Sequence, residues 1–420
     1  MIKKILTYSF GEVLVKGVSF LAIPLYSHLI SPHEYGTLGF LNSLISFLPF
    51  IFTFYYLYGF VRFSIDVEPK RLVSTYFYLG LFLNLFYFFS ALILYFLFIH
   101  KYDIALKYFI LSITASSSIY MFQVLQMYYR SKGLAKSYIK FSVFYSLSGL
   151  IFNFSFLLFF KDNIFAMLLS SVMTACIVSI VAYTNLKEFI DWKMFDKVLV
   201  KKVLKYTVPL VPGAISLLLF SNSDKIILIS YVSKEDLGIY TLAFTLGLSM
   251  SYIGSAFFMS YQPLFYEKLS QGLNSEIKEQ FWKNIIFIFV ALIISLGVIS
   301  IIYKFIDSRY ISGINIAYLI AIAYSFITYA QMMELHLTHI KKTFLVSFVY
   351  GVGGIITVST LFLLIPIYGV IGAAISLLIS AFVISVLMYY IAQRELYIAY
   401  SKLSITLFYI AILSLALVLS

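Results

Sequence analysis

Cysteine and charge are what this sequence has least of. Its one cysteine, Cys176, lies within an apolar run, which excludes an intramolecular disulfide and a site built from several thiolates. Charged residues make up only 11% of the chain and hydrophobic residues 62%, whereas the surface of a soluble domain needs far more charge. The chain is therefore predicted to be a membrane protein.

The sequence also lacks the motifs of several enzyme classes. It contains no P-loop, no glycine-rich phosphate loop, no nucleophile elbow and no array of metal ligands. We therefore expect neither a cofactor nor a metal, and no hydrolysis of ATP. The connections between the apolar runs are too short to fold as a catalytic domain, so the chain is predicted not to be an enzyme.

What the sequence has in abundance is apolar runs of about 20 residues, the length that crosses a bilayer. They predict an all-α polytopic membrane protein with twelve spanning helices. A further run at 403–420 is a thirteenth span, an interfacial segment or the first part of a longer pair. The twelve predicted spans are 7–30, 36–60, 74–99, 107–129, 139–160, 164–184, 206–231, 237–260, 284–305, 312–336, 344–365 and 369–391.

Basic residues fall on alternate connections between these runs, which is the pattern of cytoplasmic loops. About 22 of the 30 basic residues lie on the side that holds Lys3 and Lys4, so the N-terminus is predicted to be cytoplasmic. The excess of basic residues in the predicted cytoplasmic loops thus explains the formal charge of +12. A nucleic-acid partner is not expected, because no soluble module combines a basic face with stacking aromatic residues.

Two short motifs occur once in each half of the chain. Residues 31–36 (SPHEYG) and 233–238 (SKEDLG) are polar turns that end in glycine, and they lie about 202 residues apart. A second pair, 136–138 (KSY) and 342–344 (KTF), opens the fifth and eleventh predicted helices. The chain is therefore predicted to be duplicated, and duplicated membrane bundles are usually transporters.

The duplication predicts two six-helix lobes related by a pseudo-two-fold axis along the membrane normal. The stretch 185–205 between the lobes carries Trp192 and lysines spaced among apolar residues, which favours an amphipathic helix on the anionic inner leaflet. The predicted organisation is an N-terminal lobe at 1–190, a cytoplasmic amphipathic linker at 191–205, a C-terminal lobe at 206–395 and an extra hydrophobic segment at 396–420.

The sequence PLYSHLISPHEYG at 24–36 resembles the P-L-x-x-x-L-x-x-P-x-E-Y-G signature of Wzx-type polysaccharide flippases of the MOP superfamily. Stretches at 129–133, 224–240 and 364–374 resemble the same family in the same order. The chain departs from it at Asp224 and Lys225, where the family commonly has Asp-Arg. The signature positions in the turns are Pro24, Glu34, Tyr35, Gly36, Asp236, Gly238, Pro366 and Gly369.

The resemblance implies a function and a location. Such a protein would flip undecaprenyl-pyrophosphate-linked oligosaccharide repeat units to the outer face of a bacterial inner membrane, by alternating access, for O-antigen or capsule assembly. Its implied partners are that lipid-linked substrate, membrane lipids and other polysaccharide-assembly proteins. Two rivals stay open, a MATE-type cation-coupled multidrug exporter and a membrane polymerase or lipid-sugar transferase.

Ionisable residues inside the predicted spans are candidates for the transport site, because a charge at membrane depth costs about 2.5–3.5 kcal/mol. Glu12 and Lys16 lie four residues apart on one helical face, where they form an ion pair or leave Lys16 to line a cavity. Lys16, Arg62 and Lys225 are the candidates for the substrate cavity. Glu12 and Asp224 are the candidates for ion coupling.

Each candidate has a structural alternative. Asp224 and Lys225 are adjacent on a helix and are predicted not to face each other. In the alternative interpretation Lys225 snorkels outward, and Asp224 is held by the polar side chains at 221–223. Arg62 either receives the pyrophosphate or anchors a helix end, and Arg130 has the same two interpretations with anchoring favoured. A cluster near Glu334 is interpreted as an interfacial polar cap, with a proton-sensitive gate as its alternative.

Overall fold

A computed structural model describes residues 22–419, together with Gly17 and Phe20, and over this part of the chain it contains helices but no strand. We number the helices in chain order. They are α1 Ile23–Leu29, α2 Pro32–Phe52, α3 Gly59–Phe63, α4 Pro69–Leu94, α5 Leu106–Ser118, α6 Tyr120–Ser131, α7 Ala135–Phe159, α8 Asn163–Leu186, α9 Lys197–Thr207, α10 Val211–Leu228, α11 Lys234–Gly247, α12 Ser249–Ser270, α13 Asn274–Tyr303, α14 Ile314–His339, α15 Thr343–Glu395 and α16 Lys402–Leu419.

Ten helical segments in the described part are long and apolar enough to cross a membrane, and a bent pair around residue 217 makes an eleventh. Helices occupy the predicted spans from the second to the twelfth, and α16 occupies the thirteenth apolar run. Most of the predicted first span lies outside the described residues. The candidates Glu12 and Lys16 lie there too, so both stay predictions.

Helix α15 contains two of the predicted spans. Its backbone is non-helical at Gly369, with φ 57° and ψ −135°, so the chain turns between the predicted eleventh and twelfth spans at that residue. A positive φ of this kind favours glycine, because a Cβ would clash with the backbone. The predicted signature glycine at 369 is therefore explained by the turn that it allows.

The described chain divides into two compact units. The first, which we call the split unit, consists of the chain up to Gly36 together with the residues from Ser216 onward. The second, the contiguous unit, is Thr37–Ile215. The predicted lobe boundaries at residues 190 and 206 remain predictions.

In the split unit the two duplicated turns contact each other. Ser31 and Glu34 form a capping box at the start of α2, in which the Ser31 N–H donates to Glu34 Oε2 at 2.8 Å. The equivalent Ser233 Oγ accepts from the Asp236 N–H at 3.0 Å at the start of α11. Where the two helix starts meet, a Cβ on Gly36 would lie 2.0 Å from the Lys234 carbonyl oxygen.

A loop of the split unit holds the end of α1. Arg309 Nη2 donates to the Ser27 carbonyl at 3.1 Å, and Tyr310 Oη donates to the Ile30 carbonyl at 2.9 Å. The Asp307 N–H donates to Ser27 Oγ at 3.1 Å. The bonds from Arg309 and Tyr310 satisfy carbonyl groups at the helix end that have no partner within the helix.

The linker of the contiguous unit is less helical than predicted. Residues 187–189 and 192–194 form single 3₁₀ turns, and only Lys197–Thr207 forms an α-helix, α9. Helix α9 is amphipathic, with Leu199 and Val203 buried.

Candidate functional site

The contiguous unit contains a cavity of about 680 Å³ at the point where α2 ends. A cavity of this volume is within the range that holds a ligand of drug size. Its walls carry two guanidinium groups, two amides and a set of aromatic rings. The lining residues are Pro49, Phe50, Thr53, Tyr55, Tyr56, Leu57, Tyr58, Val61, Arg62, Ile65, Gln123, Gln126, Met127, Arg130 and Tyr206.

A break in the second predicted span builds the cavity. The hydroxyl of Thr53 donates to the Pro49 carbonyl at 2.6 Å just as α2 ends. Phe54 and Tyr55 then both take a left-handed backbone with φ 53°. Side chains other than glycine rarely adopt this conformation, and two in succession mark a backbone that the surrounding packing holds in place. The prediction of an unbroken helix at 36–60 is therefore wrong.

Aromatic rings line the break. Tyr55 and Tyr58 stack with ring centroids 4.9 Å apart, and Tyr55 also lies 5.2 Å from the ring of Phe50. The Tyr58 side chain is 53% exposed, so one face of this stack is open. Flat aromatic surfaces of this kind pack against the apolar faces of ligand rings while their hydroxyls bond to polar edges.

Two arginines give the cavity positive charge. Arg62 on α3 donates to Asp66 Oδ2 at 2.6 Å, but both side chains are more than half exposed, so the pair contributes little to stability. Arg130 is exposed at the end of α6, and no ion pair holds it within the described part of the chain. Both guanidinium groups are therefore available for an anionic ligand.

Amides complete the polar wall. Gln123 and Gln126 both lie on α6, and Gln126 Nε2 donates to Ser142 Oγ at 3.1 Å, which fixes the orientation of that amide. Guanidinium groups bind phosphate oxygens in a bidentate manner, whereas amides bind hydroxyl groups. The arrangement suits a ligand that carries both phosphate and hydroxyl groups.

The structure brings together some of the predicted site residues and separates others. Arg62 and Arg130 both line the cavity, although simple anchoring was favoured for Arg130. The role of Arg62 in binding substrate stays a prediction. Lys225 belongs to the split unit and does not line this cavity. Sequence reasoning missed the tyrosines and glutamines, because the cavity exists only where the helix breaks.

Asp224 and Lys225 form a buried ion pair, so the prediction that they do not face each other is wrong. Lys225 Nζ lies 3.2 Å from Asp224 Oδ2, and the side chains are only 7% and 4% exposed. The Cβ atoms of adjacent helical residues do point in different directions. The long lysine stem folds back along the helix, and its ammonium thereby reaches the preceding carboxylate.

Neighbouring side chains complete this buried cluster. Tyr240 Oη donates to Asp224 Oδ2 at 2.6 Å, and Lys225 Nζ lies 3.4 Å from the centroid of the Phe244 ring. Lys225 therefore does not snorkel outward. The carboxylate of Asp224 is balanced inside the protein, and its role in ion coupling stays a prediction.

The polar cluster on α14 divides into separate contacts. Tyr350 Oη donates to Glu334 Oε2 at 3.1 Å, whereas the buried His336 bonds through Nε2 to Tyr400 Oη at 2.8 Å. His339 packs against the ring of Tyr266 instead. Within the described residues no three His, Cys, Asp or Glu side chains are grouped closely enough to hold a metal ion.

Comparison with known proteins gives one family. A family model described as "Polysaccharide biosynthesis protein" matches residues 1–268, which is more than half of the chain. No curated protein sequence matches the chain significantly.

Several solved structures share the fold. The lipid II flippase MurJ, in an inward closed conformation, is 12% identical with a TM-score of 0.72, covering 98% of this chain and 91% of that one. An inward-facing multidrug resistance MATE family transporter of the MOP superfamily is 12% identical with a TM-score of 0.68, covering 91% and 97%. The MATE multidrug transporter DinF-BH is 12% identical with a TM-score of 0.64, covering 95% and 96%. The predicted fold class is confirmed.

Proposed function

We propose, from the premise that this chain belongs to the polysaccharide biosynthesis protein family, that it is a flippase for lipid-linked oligosaccharides. The expected substrate is an undecaprenyl-pyrophosphate-linked repeat unit. It would move from the cytoplasmic to the outer face of a bacterial inner membrane and supply O-antigen or capsule assembly. The chain would act as a transporter and not as an enzyme.

The observation that carries this proposal is the chemistry of the cavity wall. Arg62 and Arg130 offer two guanidinium groups, which suit the two phosphates of a pyrophosphate. The stacked rings of Tyr55 and Tyr58 offer a platform for sugar rings beside those charges. One end of the ligand is thus met by charge and the other by aromatic surface.

Transport itself would follow alternating access. A substrate changes the balance between two states of a transporter only by the difference in its affinity for them. Tyr55 lines the cavity and, with Phe54 before it, has the strained left-handed backbone, so a small rearrangement of this break would change the positions of the rings and of Arg62 together. The lipid tail would remain in the bilayer throughout.

The rival function as an exporter of cationic drugs is not favoured by this cavity. Its charged lining residues are Arg62 and Arg130, and no carboxylate is among the residues that line it. Asp66 balances Arg62 from beside the cavity, but Arg130 has no paired carboxylate among the described residues and would repel a cationic ligand. A polymerase or transferase is not favoured either, because the lining lacks a nucleophile paired with a general base.

The test measures outward movement of lipid-linked repeat units in a strain that lacks the gene and is complemented with variants. We expect Arg62→Ala and Arg130→Ala each to weaken substrate binding about tenfold or more, because a hydrogen bond to a charged group contributes about 1.5–3 kcal/mol. Arg62→Lys keeps the charge but loses the bidentate geometry, so a partial loss is expected.

Arg394→Ala is the matched control, since Arg394 is an exposed arginine at the end of α15 that does not line the cavity. It should leave transport unchanged. Normal transport by the Arg62→Ala and Arg130→Ala variants, together with altered drug sensitivity on gene deletion, would instead favour the exporter.

A further inference from the structure

The linker between the two halves carries a surface that, apart from Tyr206 in the cavity wall, the proposed function does not use. We propose that residues 187–207, which we call the linker bracket, form a binding site for the headgroups of anionic phospholipids. The ligand class is a phosphate-bearing lipid surface with net negative charge. This inference is independent of which substrate the cavity takes.

The bracket is fixed to the start of α4 by hydrogen bonds. Ser74 Oγ donates to the Phe189 carbonyl at 2.7 Å and accepts from the Asp191 N–H at 2.9 Å. The Asp196 N–H donates to Thr75 Oγ1 at 3.2 Å. The two 3₁₀ turns are therefore packed against α4, a helix long and apolar enough to span the membrane.

Two of the three carboxylates of the bracket are already neutralised, and the third, Glu188, is exposed. Lys70 Nζ lies 3.4 Å from Asp191 Oδ2, and Arg71 pairs with Asp196. Both cations belong to the first turn of α4. The bracket's own lysines take part in no ion pair among the described residues. These lysines are Lys187, Lys193, Lys197, Lys201, Lys202 and Lys205.

Apolar side chains lie exposed among these lysines. Trp192 is 65% exposed and Val198 is 62% exposed, although both belong to an ordered part of the bracket. The Trp192 ring stacks on Phe195 with an interplanar angle of 4° and meets the edge of Tyr78 at 4.7 Å. An exposed tryptophan that is held rigidly costs little entropy when a second apolar surface covers it.

The depth of Tyr78 places this surface at the membrane boundary. Helical residues rise about 1.5 Å each, so Tyr78 lies about 13 Å along the helix from Pro69. The span Pro69–Tyr102 contains 34 residues and is about 51 Å long at that rise, whereas the hydrocarbon core is about 30 Å thick. With the hydrocarbon core centred on this span, about 10 Å of helix extends past it at each end. The first residues of α4 then lie among headgroups, and Trp192 beside Tyr78 lies where the hydrocarbon begins.

Charge and apolar surface together indicate lipid as the occupant. In α9 the buried residues Leu199 and Val203 face the protein, while Lys201, Lys202 and Lys205 are exposed. Basic residues next to exposed tryptophan, at the level where a span enters the bilayer, match the composition of interfacial segments that bind anionic leaflets. An acidic protein would use the lysines but would leave Trp192 without a partner at that depth.

The test compares thermal unfolding of the full chain in nanodiscs of phosphatidylcholine alone and in nanodiscs that also contain phosphatidylglycerol. A ligand that binds only the folded state raises the unfolding temperature. We expect phosphatidylglycerol to raise that temperature for the wild type, and high salt to reduce the rise. A variant with Lys197→Gln, Lys201→Gln, Lys202→Gln and Lys205→Gln should lose most of it.

A matched variant controls for the change in net charge. Lys136→Gln, Lys278→Gln, Lys341→Gln and Lys402→Gln remove the same charge from exposed lysines outside the bracket and should keep the rise. Trp192→Ala should reduce the rise with no change in charge.

Three results would overturn the proposal. The first is an equal unfolding temperature of the wild type in both lipids, and the second is an equal loss in the control variant. The third is stabilisation by polyglutamate in phosphatidylcholine but not by phosphatidylglycerol, which would assign the bracket to an acidic protein. Transport is not measured in this test, so failure of the flippase proposal would be recognised separately.

Discussion

Gly36 and Gly238 lie against each other, and each occupies the space that a side chain on the other helix would need. A Cβ on Gly238 would lie 1.8 Å from the Pro32 carbonyl oxygen, and one on Gly36 would lie 2.0 Å from the Lys234 carbonyl oxygen. Backbone atoms cannot rotate away as the end of a side chain can. The two helix starts therefore approach this closely only because both positions are glycine.

We predict that Gly36→Ala and Gly238→Ala each lower the unfolding temperature of the protein in detergent. The added methyl group must push the two helix starts apart, and overpacking typically costs about 1–3 kcal/mol. Gly297→Ala on α13 is the control, because a Cβ there meets nothing within 4 Å. It should be neutral or slightly stabilising, since alanine is favoured over glycine in a helix by about 0.5–1 kcal/mol. Equal effects at all three positions would contradict the close contact.

A second prediction concerns the ion pair of Asp224 and Lys225. Removal of one partner leaves a buried charge without compensation, and such changes typically cost about 3–5 kcal/mol. We expect Lys225→Met and Asp224→Asn each to destabilise the protein by an amount of this order. The double variant should be more stable than the sum of the single changes predicts, because it leaves no unpaired charge.

The free energies of unfolding of the four proteins in this cycle measure the coupling. Lys283→Met is a suitable comparison, since Lys283 pairs with Glu279 at 2.7 Å but both side chains are more than half exposed. That change should cost little. Strict additivity in the Asp224 and Lys225 cycle would show that the two charges do not interact in solution.

A third prediction concerns pH. The side chain of Arg309 donates a hydrogen bond that lowers the pKa of Asp307 from 3.8 to about 2, and the Arg309 backbone N–H contributes to the same shift. A depressed pKa stabilises the fold above the unfolded value and loses this effect as pH falls through the folded value. The part of the contribution that comes from Arg309 should therefore be constant above about pH 5 and decline between about pH 4 and pH 2. His28 Nδ1 lies 3.5 Å from Asp307 Oδ2 and adds an ion pair only when its ring is protonated.

Unfolding temperatures of the wild type and of Asp307→Asn across this pH range test the shift. Both proteins also carry His28→Gln, which removes the pair between His28 and Asp307. In that background the difference should be steady at neutral and weakly acid pH and should shrink below about pH 4. Asp66→Asn is a control in an exposed ion pair of the other unit. A difference that vanished already near pH 6 would assign the effect to a group other than Asp307.

The sequence was sufficient for the features that depend on local pattern. Apolar runs located the helices, and the motif at 24–36 indicated the family that the family model then matched. Gly369 was recognisable as a turn residue and has the positive φ that a turn requires. These features depend on residues that are close together along the chain, so one sequence contains the information.

Other features depend on packing between distant residues. Phe54 and Tyr55 are neither glycine nor asparagine, the residues that usually signal a left-handed backbone. Only packing against the surrounding structure imposes that conformation on them. In the sequence, Arg130 is a basic residue at a helix end like several others. Its place in the cavity wall follows from the packing of α6 beside the break that follows α2. The ion pair between Asp224 and Lys225 forms because the flexible lysine side chain bends back toward the carboxylate. The positions of the two residues in the sequence do not determine that conformation.

The contact at the duplicated turns also bears on how a chain of this length arose. Gly36 meets the backbone at Lys234 while Gly238 meets the backbone at Pro32, so the two partners exchange roles as they do across a two-fold dimer interface. A half-length ancestor pairing with its own copy would make this contact with a single glycine, and one substitution would damage both sides at once. In a fused chain the two copies of the motif can change independently, and at the equivalent positions 32 and 234 they already differ, with Pro32 in one copy and Lys234 in the other. The two glycines still constrain each other.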